Sequence, residues 1–214
     1  MLTKRGLVVR IAIFGCGGFG REILRLAQEL SARSDAQPVF VADHPLGPVL
    51  NHPVITPDQL GPGDQLVIAI GSPDMRRAVA ERLNRKCLNL IAHSAIVGPD
   101  VTIRDGAILC DNTIITASAR IGRHFHCNIY SYVAHDCVIG DYVTFAPRVS
   151  CNGNVHVEDG AYIGNGAVIK QGAPDNPIVI GAGAVVGMGA VVTKNVPAGA
   201  TVIGNPAVPF RQAR

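Results

Sequence analysis

The sequence of 214 residues lacks the features that mark several protein classes. No apolar run approaches the ~20 residues of a membrane-spanning helix, so membrane insertion is not expected. Lysine and arginine form no run, and the formal net charge is only +3, which gives little support to binding of nucleic acid or an anionic membrane surface. A small-molecule substrate is therefore the more promising partner to look for.

What the sequence does contain is a repeat of six residues. An apolar residue occurs at every sixth position: Val97, Ile103, Leu109, Ile115, Ile121, Cys127, Val133, Ile139, Phe145, Cys151, Val157, Ile163 and Ile169, then Ile180, Val186 and Val192. Helices repeat every 3.6 residues and strands every 2, so neither produces a period of six. A hexapeptide repeat predicts a parallel β-helix, in which each unit buries its apolar face by stacking on the next.

Three strands per turn would give a triangular coil of roughly 18 residues, and the repeat is long enough for about five coils. We expect tight corners, with backbone freedom supplied by Gly98, Gly122, Gly140, Asn152, Gly164, Gly181 and Gly187. Half of the six cysteines (Cys127, Cys137 and Cys151) fall at inward places, and no two cysteines form a CxxC pair. Buried thiols in a reducing cytoplasm are therefore expected.

The N-terminal third alternates between strand and helix patterns. Strands are predicted at 8–15, 38–43, 54–56, 65–71 and 88–92, and helices at 21–30 and 73–86. Such alternation predicts a small parallel sheet with right-handed crossovers. Lys4 and Arg5 precede an apolar stretch, as in a signal peptide, but a strand–turn–helix fits the continuation better. The predicted domains are a Rossmann-like α/β domain at 1–92 and an all-β parallel β-helix with its tail at 93–214.

A glycine-rich turn follows the first predicted strand. Gly15, Gly17 and Gly20 match the GxGxxG fingerprint, and Asp43 lies 23 residues further on, near the spacing of a ribose-binding acid. Backbone N–H groups at a helix N-terminus bind phosphate. Because only one mononucleotide half is present, we expect a nucleotide or nucleotide-sugar pyrophosphate. A dinucleotide, or a turn with a purely structural role, stays open as an alternative.

Four segments occur in an order that resembles the sialic acid O-acetyltransferase-like family, and within it the branch that N-acetylates nucleotide-linked amino-sugars. They are Gly15–Gly20 (GCGGFG), Ala69–Arg76 (AIGSPDMR), Asn128 with His135–Gly140 (HDCVIG), and Gly204–Ala207 (GNPA). The resemblance covers nearly the whole chain. It implies a left-handed β-helix, a homotrimer with sites between neighbouring helices, acetyl-CoA as co-substrate and a role in surface glycan biosynthesis. It leaves open whether UDP, GDP or dTDP carries the sugar.

The resemblance also implies roles for particular residues. His135 would be the catalytic base, with Asp136 raising its basicity, since an imidazole can accept the proton that an amine loses when it attacks a thioester. Substrate contacts are implied at Gly17, Gly18, Phe19, Asp43, Gly71, Arg76 and Asn128. Contacts with acetyl-CoA are implied at Thr144, Gly153, Asn165 and Met188. Family members often carry histidine where this chain has Phe19, which departs from the family's usual sugar contact. A histidine can also stand where this chain has Thr144, a difference that changes one polar contact near the donor and leaves the acetyl-donor class unaffected.

The repeat also predicts which residues lie above one another. Pro147, Asn165 and Met188 fall in one column if the interruption before Ile180 delays the register by five residues. We expect the donor to lie along this column and the inserted loop at 171–177 to cover part of it. His135 falls at an outward corner, where it can meet a neighbouring subunit.

The remaining histidines give no metal signal. His124, His126 and His156 fall at outward places and are expected at the surface. Related β-helix proteins of the carbonic anhydrase type bind zinc through histidines five residues apart, and no two of the seven histidines here have that separation. No metal is expected. Three alternatives remain open: O-acetylation of a sugar, a non-catalytic nucleotide-sugar scaffold, and NAD-dependent redox chemistry.

Overall fold

The computed structural model describes residues 9–34 and 36–210, so the basic start at Lys4 and Arg5 lies outside the described residues. The N-terminal part is a parallel sheet of four strands, in the order β3-β2-β1-β4. The strands are β1 (Arg10–Phe14), β2 (Gln37–Val41), β3 (Val54–Ile55) and β4 (Gln65–Ile68), with helices α1 (Gly18–Ser34) and α2 (Pro73–Leu83) and a 3-10 turn (Pro57–Gln59). Four of the five predicted strands and both predicted helices are present in this part, with bounds that differ by a few residues, whereas the strand predicted at 88–92 pairs with the coil.

Helix α2 shows how local sequence sets those ends. The Ser72 side chain accepts a hydrogen bond from the Met75 N–H, and Pro73 occupies the first turn, as predicted. Asn84 adopts a left-handed conformation (φ 44°) and ends the helix before the predicted limit at 86. Within the described residues, neither helix combines the length and apolarity that a membrane span requires.

From Leu90 onward the chain visits three sheets in rotation. The first contains β5 (Leu90–Ile91), β8 (Ile108–Leu109), β11 (His126–Cys127), β14 (Thr144–Phe145), β17 (Tyr162–Ile163), β20 (Val185–Val186), β22 (Thr201–Ile203) and the antiparallel β23 (Val208–Pro209). The second contains β6 (Ile96–Val97), β9 (Ile114–Ile115), β12 (Tyr132–Val133), β15 (Ser150–Cys151), β18 (Val168–Ile169) and β21 (Val191–Val192). The third contains β7 (Thr102–Ile103), β10 (Arg120–Ile121), β13 (Val138–Ile139), β16 (Val155–Val157) and β19 (Ile178–Ile180).

The register confirms the six-residue repeat. His126 pairs with both Ile108 and Thr144, one turn of the coil away on either side. Val157 pairs with Ile180, so the interruption delays the register by five residues, as predicted. The predicted apolar positions from Leu109 to Val192 are all buried in one continuous core, whereas Val97 at the open end of the coil is 41% exposed.

The corner glycines have a different role from the one predicted. A Cβ at Gly122 would lie 2.4 Å from the carbonyl carbon of Gly140, so successive coils approach too closely for any side chain there. The left-handed conformation falls two residues later in the hexad, for example at His124 (φ 53°) and Asp136 (φ 58°). The glycines at these corners therefore allow close stacking, and other residues make the turn.

The α/β part packs against the first sheet of the coil. Leu90 and Ile108 share a core cluster with Ile23 and Leu26 of α1. Leu90 belongs to the coil by its pairing with Ile108, so the coil already begins inside the segment assigned to the N-terminal domain. This docking brings Phe19 next to His126 of β11 and Gly71 next to Thr144 of β14.

Candidate active site

The carboxyl ends of three parallel strands form one edge of the N-terminal sheet. Gly15 follows β1, Asp43 follows β2 and Gly71 follows β4. A Cβ at Gly20 would lie 1.9 Å from the carbonyl oxygen of Gly15, so only glycine lets α1 start this close to β1. Positions 17 and 18 face open space, which leaves room for a ligand at the helix N-terminus.

Two predicted substrate contacts at this edge have protein neighbours. The carboxylate of Asp43 is exposed and accepts a hydrogen bond from Arg82 of α2 at 2.7 Å. The ring of Phe19 lies 5.1 Å from that of His126, measured between centroids. Phe19 therefore packs against the coil, at the boundary between the edge of the N-terminal sheet and the first coil sheet.

Arg76 lies beneath this edge, buried between the two parts of the chain. Its side chain is fully buried and donates to the carbonyl oxygens of Ile70 (2.6 Å) and Tyr142 (2.7 Å). It also donates to the hydroxyl of Thr144 (3.0 Å), which in turn donates to the carbonyl oxygen of Gly71 (3.0 Å). Arg76 and Thr144 are predicted to contact the sugar nucleotide and acetyl-CoA respectively. They lie together in the interior, Arg76 fully buried and Thr144 only 3% exposed, which leaves almost no surface for either ligand.

The surface positions expected for His124 and His126 are wrong. Both are buried, with 3% and 0% of their surface exposed, because Tyr142 stacks on His124 and the N-terminal part covers His126. Burial, reinforced by the charge of Arg76, lowers the pKa of His124 to about 4 and that of His126 well below its ordinary value. Both imidazoles are therefore neutral at pH 7. His156 is half-buried.

His135 lies exposed at the corner between β12 and β13, as predicted. Its Nδ1 is 2.7 Å from Oδ2 of Asp136, whose left-handed backbone holds the carboxylate beside the ring. A carboxylate at Nδ1 fixes the proton there, so Nε2 of the neutral ring is the nitrogen that can accept a proton. The pair has the arrangement of an oriented general base.

Gly153 occupies the same corner one coil further on. Its missing side chain makes room for the imidazole of His135, because a Cβ at this position would lie 2.5 Å from Nε2. The Asn154 N–H donates to the His135 carbonyl oxygen at 3.1 Å. The loop predicted to cover the donor also starts here, since the Gly172 N–H donates to the Gly153 carbonyl oxygen. The loop therefore adjoins the His135 corner and not the Pro147 column.

The column of Pro147, Asn165 and Met188 is present. The N–H groups of Gly166 and Gly189 donate to the carbonyl oxygens of Pro147 (2.9 Å) and Asn165 (2.8 Å), and Met188 is 81% exposed. The column runs along the corner between the first and second sheets, and His135 lies at the corner between the second and third. Within one chain, His135 and the column of Pro147, Asn165 and Met188 therefore lie at different corners of the coil.

The other predicted site residue, Asn128, is part of the coil structure. Its side-chain amide donates to the carbonyl oxygen of Phe145 at 2.9 Å and links two coils. The six cysteines are unpaired and all but Cys16 are buried, as predicted for structural thiols. Among the described residues, no group of three or more His, Cys, Asp or Glu side chains could hold a metal ion.

A hexapeptide-repeat coil with an oriented His–Asp pair at its corner, joined to a glycine-edged α/β sheet, defines a hexapeptide-repeat acyltransferase. Residues 10–83 match the family described as PglD N-terminal domain. The chain is 47% identical over 181 residues to the GDP-perosamine N-acetyltransferase of Escherichia coli O157:H7, covering 79% of this chain and 82% of that protein. It belongs to the family of acetyl-CoA-dependent nucleotide-sugar N-acetyltransferases with hexapeptide repeats.

Solved structures agree with this family. WeeI from Acinetobacter baumannii AYE is 44% identical with a TM-score of 0.89, over 94% of this chain and 100% of that one. PerB from Caulobacter crescentus, solved with CoA and GDP-perosamine, is 28% identical with a TM-score of 0.84, over 95% and 98%. A variant of the Caulobacter enzyme with one histidine replaced by alanine, also with both ligands, is 25% identical with a TM-score of 0.78, over 96% and 98%.

Proposed function

We propose that this enzyme transfers the acetyl group of acetyl-CoA to the amine of GDP-perosamine, a particular case of a nucleotide-linked 4-amino-4,6-dideoxy sugar. The similarity over most of the chain to a GDP-perosamine N-acetyltransferase carries the proposal. The His135–Asp136 pair supports it, because amine acylation needs a base. O-acetylation of a sialic acid type and a non-catalytic scaffold are not favoured, since the Escherichia coli and Caulobacter relatives are GDP-perosamine N-acetyltransferases.

In the proposed reaction the amine attacks the thioester carbonyl while Nε2 of His135 takes its proton. An N–C bond forms, and a tetrahedral oxyanion develops that backbone N–H groups of a coil corner can stabilise. The oxyanion collapses, the C–S bond breaks, and the proton passes from His135 to the CoA sulfur. Asp136 stabilises the imidazolium that exists between these two proton transfers.

Substrate binding is proposed at the edge of the N-terminal sheet. The strand order β3-β2-β1-β4 supports a Rossmann-like nucleotide-binding half at 1–92. The N–H groups at Gly17 and Gly18 would bind the diphosphate, and Asp43 a ribose hydroxyl. The sugar would extend past Phe19 and the Gly71 turn toward Asn128. Arg76 supports this edge from below, and its burial leaves it no direct contact.

We propose that a homotrimer completes each site. His135 and the Asn165–Met188 column lie at different corners of one chain, so a neighbouring copy must bring a base to a donor. The coil at 93–214 is proposed to be left-handed with about five turns, like the hexapeptide-repeat transferases that it resembles. A cytoplasmic location is proposed as well, because all six cysteines are unpaired.

The test is an assay of CoA release with acetyl-CoA and GDP-perosamine, with mass spectrometry of the sugar nucleotide. Replacement of His135 by alanine is expected to lower kcat by about 100-fold or more without lowering Tm. His93→Ala, which removes an exposed histidine outside the site, is the control. Unimpaired turnover by the His135 variant would refute the catalytic assignment, and binding without turnover by the wild type would favour the scaffold.

The nucleotide is tested separately. Thermal unfolding is measured with UDP, GDP and dTDP at equal concentrations, because a bound ligand raises stability by RT ln(1 + [L]/Kd). We expect the largest rise in Tm with GDP. A larger rise with UDP or dTDP would refute GDP-perosamine as the substrate and leave the reaction class intact.

A further inference from the structure

The Arg76 guanidinium joins the two parts of the chain through both of its terminal nitrogens. In the N-terminal part Nη1 donates to the carbonyl oxygens of Ile70 (2.6 Å) and Gly71 (3.3 Å). Across the junction Nη2 donates to the carbonyl oxygen of Tyr142 (2.7 Å) and to the Thr144 hydroxyl (3.0 Å). A planar guanidinium holds its donors in a fixed fork, so it fixes the relative orientation of the groups that it bridges.

The acceptors of Arg76 are all neutral. They are backbone carbonyls, the hydroxyl of Thr144 and Nδ1 of His126 (3.2 Å), and among the described residues no carboxylate forms an ion pair with Arg76. Its Nε has no hydrogen-bond partner there either. A buried cation without a counter-ion stabilises a fold less than an apolar residue of similar volume. Global stability is therefore a poor explanation for an arginine at this position.

The hydrogen bonds of Arg76 connect the edge proposed to bind the sugar nucleotide with the coil strand that precedes the donor column. Gly71 belongs to the edge proposed to bind the sugar nucleotide, and its carbonyl oxygen accepts from both Arg76 and Thr144. Thr144 begins β14, which leads directly to Pro147 at the foot of the donor column. Loss of the hydrogen bonds that the Arg76 guanidinium makes would therefore let the edge that carries Gly71 move relative to the corner that carries Pro147, Asn165 and Met188. A displacement of about 1 Å between reacting groups can cost roughly 100-fold in rate.

We propose that Arg76, acting through Thr144, is a positioning residue that fixes the sugar-binding edge against the coil so that the sugar amine meets the thioester. This rests on the proposed function. It differs from direct substrate binding, because Arg76 is fully buried and touches only protein groups. It also gives Thr144 a role in the junction in place of a donor contact.

The first test is Arg76→Lys, which keeps the charge but cannot bridge both sides with a fork. We expect kcat with GDP-perosamine to fall about tenfold or more, while the KM for acetyl-CoA and the Kd for GDP change by less than about threefold. Arg77→Lys is the matched control. Arg77 is the next residue of the same helix; its guanidinium stacks on the ring of Tyr142, and its buried Nε has no hydrogen-bond partner among the described residues. Its kinetic constants should match the wild type.

Thr144→Val is the second variant, needed if Arg76→Lys fails to fold. It removes the hydroxyl between Arg76 and Gly71 at nearly constant volume, and kcat should fall about three- to tenfold with the KM for acetyl-CoA unchanged. Wild-type kcat in a folded Arg76→Lys or Thr144→Val variant would overturn the proposal, as would a raised KM for acetyl-CoA in the latter. An inactive wild type would refute the proposed function instead.

Discussion

The imidazole of His135 lies directly against the α-carbon of Gly153. A Cβ at position 153 would lie 2.5 Å from both Cε1 and Nε2, closer than any non-bonded contact allows. Gly153 therefore packs against the imidazole of His135, although the resemblance implies a contact with acetyl-CoA at this position. The absence of a side chain on one coil therefore sets the position of a reactive nitrogen at the same corner of the neighbouring coil.

Gly153→Ala should therefore displace the His135 ring. We expect kcat to fall about 10- to 100-fold while the KM for acetyl-CoA changes little, because the base moves and the donor column does not. Steady-state kinetics with both substrates varied will measure this. Gly47→Ala is the control, since nothing lies within 4 Å of a Cβ at that exposed glycine. A raised KM for acetyl-CoA with unchanged kcat would restore the donor role.

Asp136→Asn should reduce activity without removing the base. The carboxylate accepts from Nδ1 of His135 at 2.7 Å and so leaves Nε2 free to accept a proton. An amide can also donate to Nδ1 and favour the wrong tautomer. We expect kcat to fall about tenfold or more and both KM values to stay within about threefold. Wild-type kcat in this variant would mean that Asp136 does not orient the ring.

The buried histidines should make the fold sensitive to mild acid. Burial lowers the pKa of His124 to about 4, whereas an unfolded chain titrates near its ordinary value of about 6.5. Between these values the unfolded state binds a proton that the folded state does not, so the free energy of unfolding decreases as pH falls. We expect His124 alone to contribute a loss of about 2 kcal/mol between pH 7 and 4.5.

Urea unfolding at several pH values will measure this loss. His124→Gln cannot take up the proton, so its free energy of unfolding should decline less steeply over the same interval. His126 should add to the wild-type decline, because its pKa is also lowered by burial. Parallel declines in the wild type and the His124 variant would show that His124 is not the group that titrates.

Met188 offers a test of the donor column. Its side chain is 81% exposed on a corner that we propose for acetyl-CoA, whose phosphates are anionic. Met188→Glu should raise the KM for acetyl-CoA about tenfold through loss of apolar contact and charge repulsion, with the GDP affinity unchanged. Val9→Glu, which adds the same charge at an exposed valine before β1, is the control. An unchanged KM would place the donor elsewhere.

Much of the coil could be predicted from the sequence because its structure is periodic. Once Leu109 and Cys127 are recognised as inward, every later inward position follows, including the five-residue delay before Ile180. The same counting predicted that His135 is exposed at a corner and that Asn165 lies below Met188. The corner glycines were misinterpreted because composition cannot distinguish a left-handed turn from the close approach that Gly122 requires.

Only the tertiary structure decided which of the three sheets the N-terminal part covers. Outward residues have the same sequence pattern on every sheet, so the pattern predicts His124 and His126 at the surface, whereas both are buried in the folded chain. The bonds from Arg76 to Tyr142 and Thr144 join residues more than sixty positions apart, and no local pattern encodes such a contact. Periodicity determines which way each side chain of the coil points. The packing of the α/β part on the coil depends instead on the complementarity of two surfaces, and that complementarity exists only once both parts have folded.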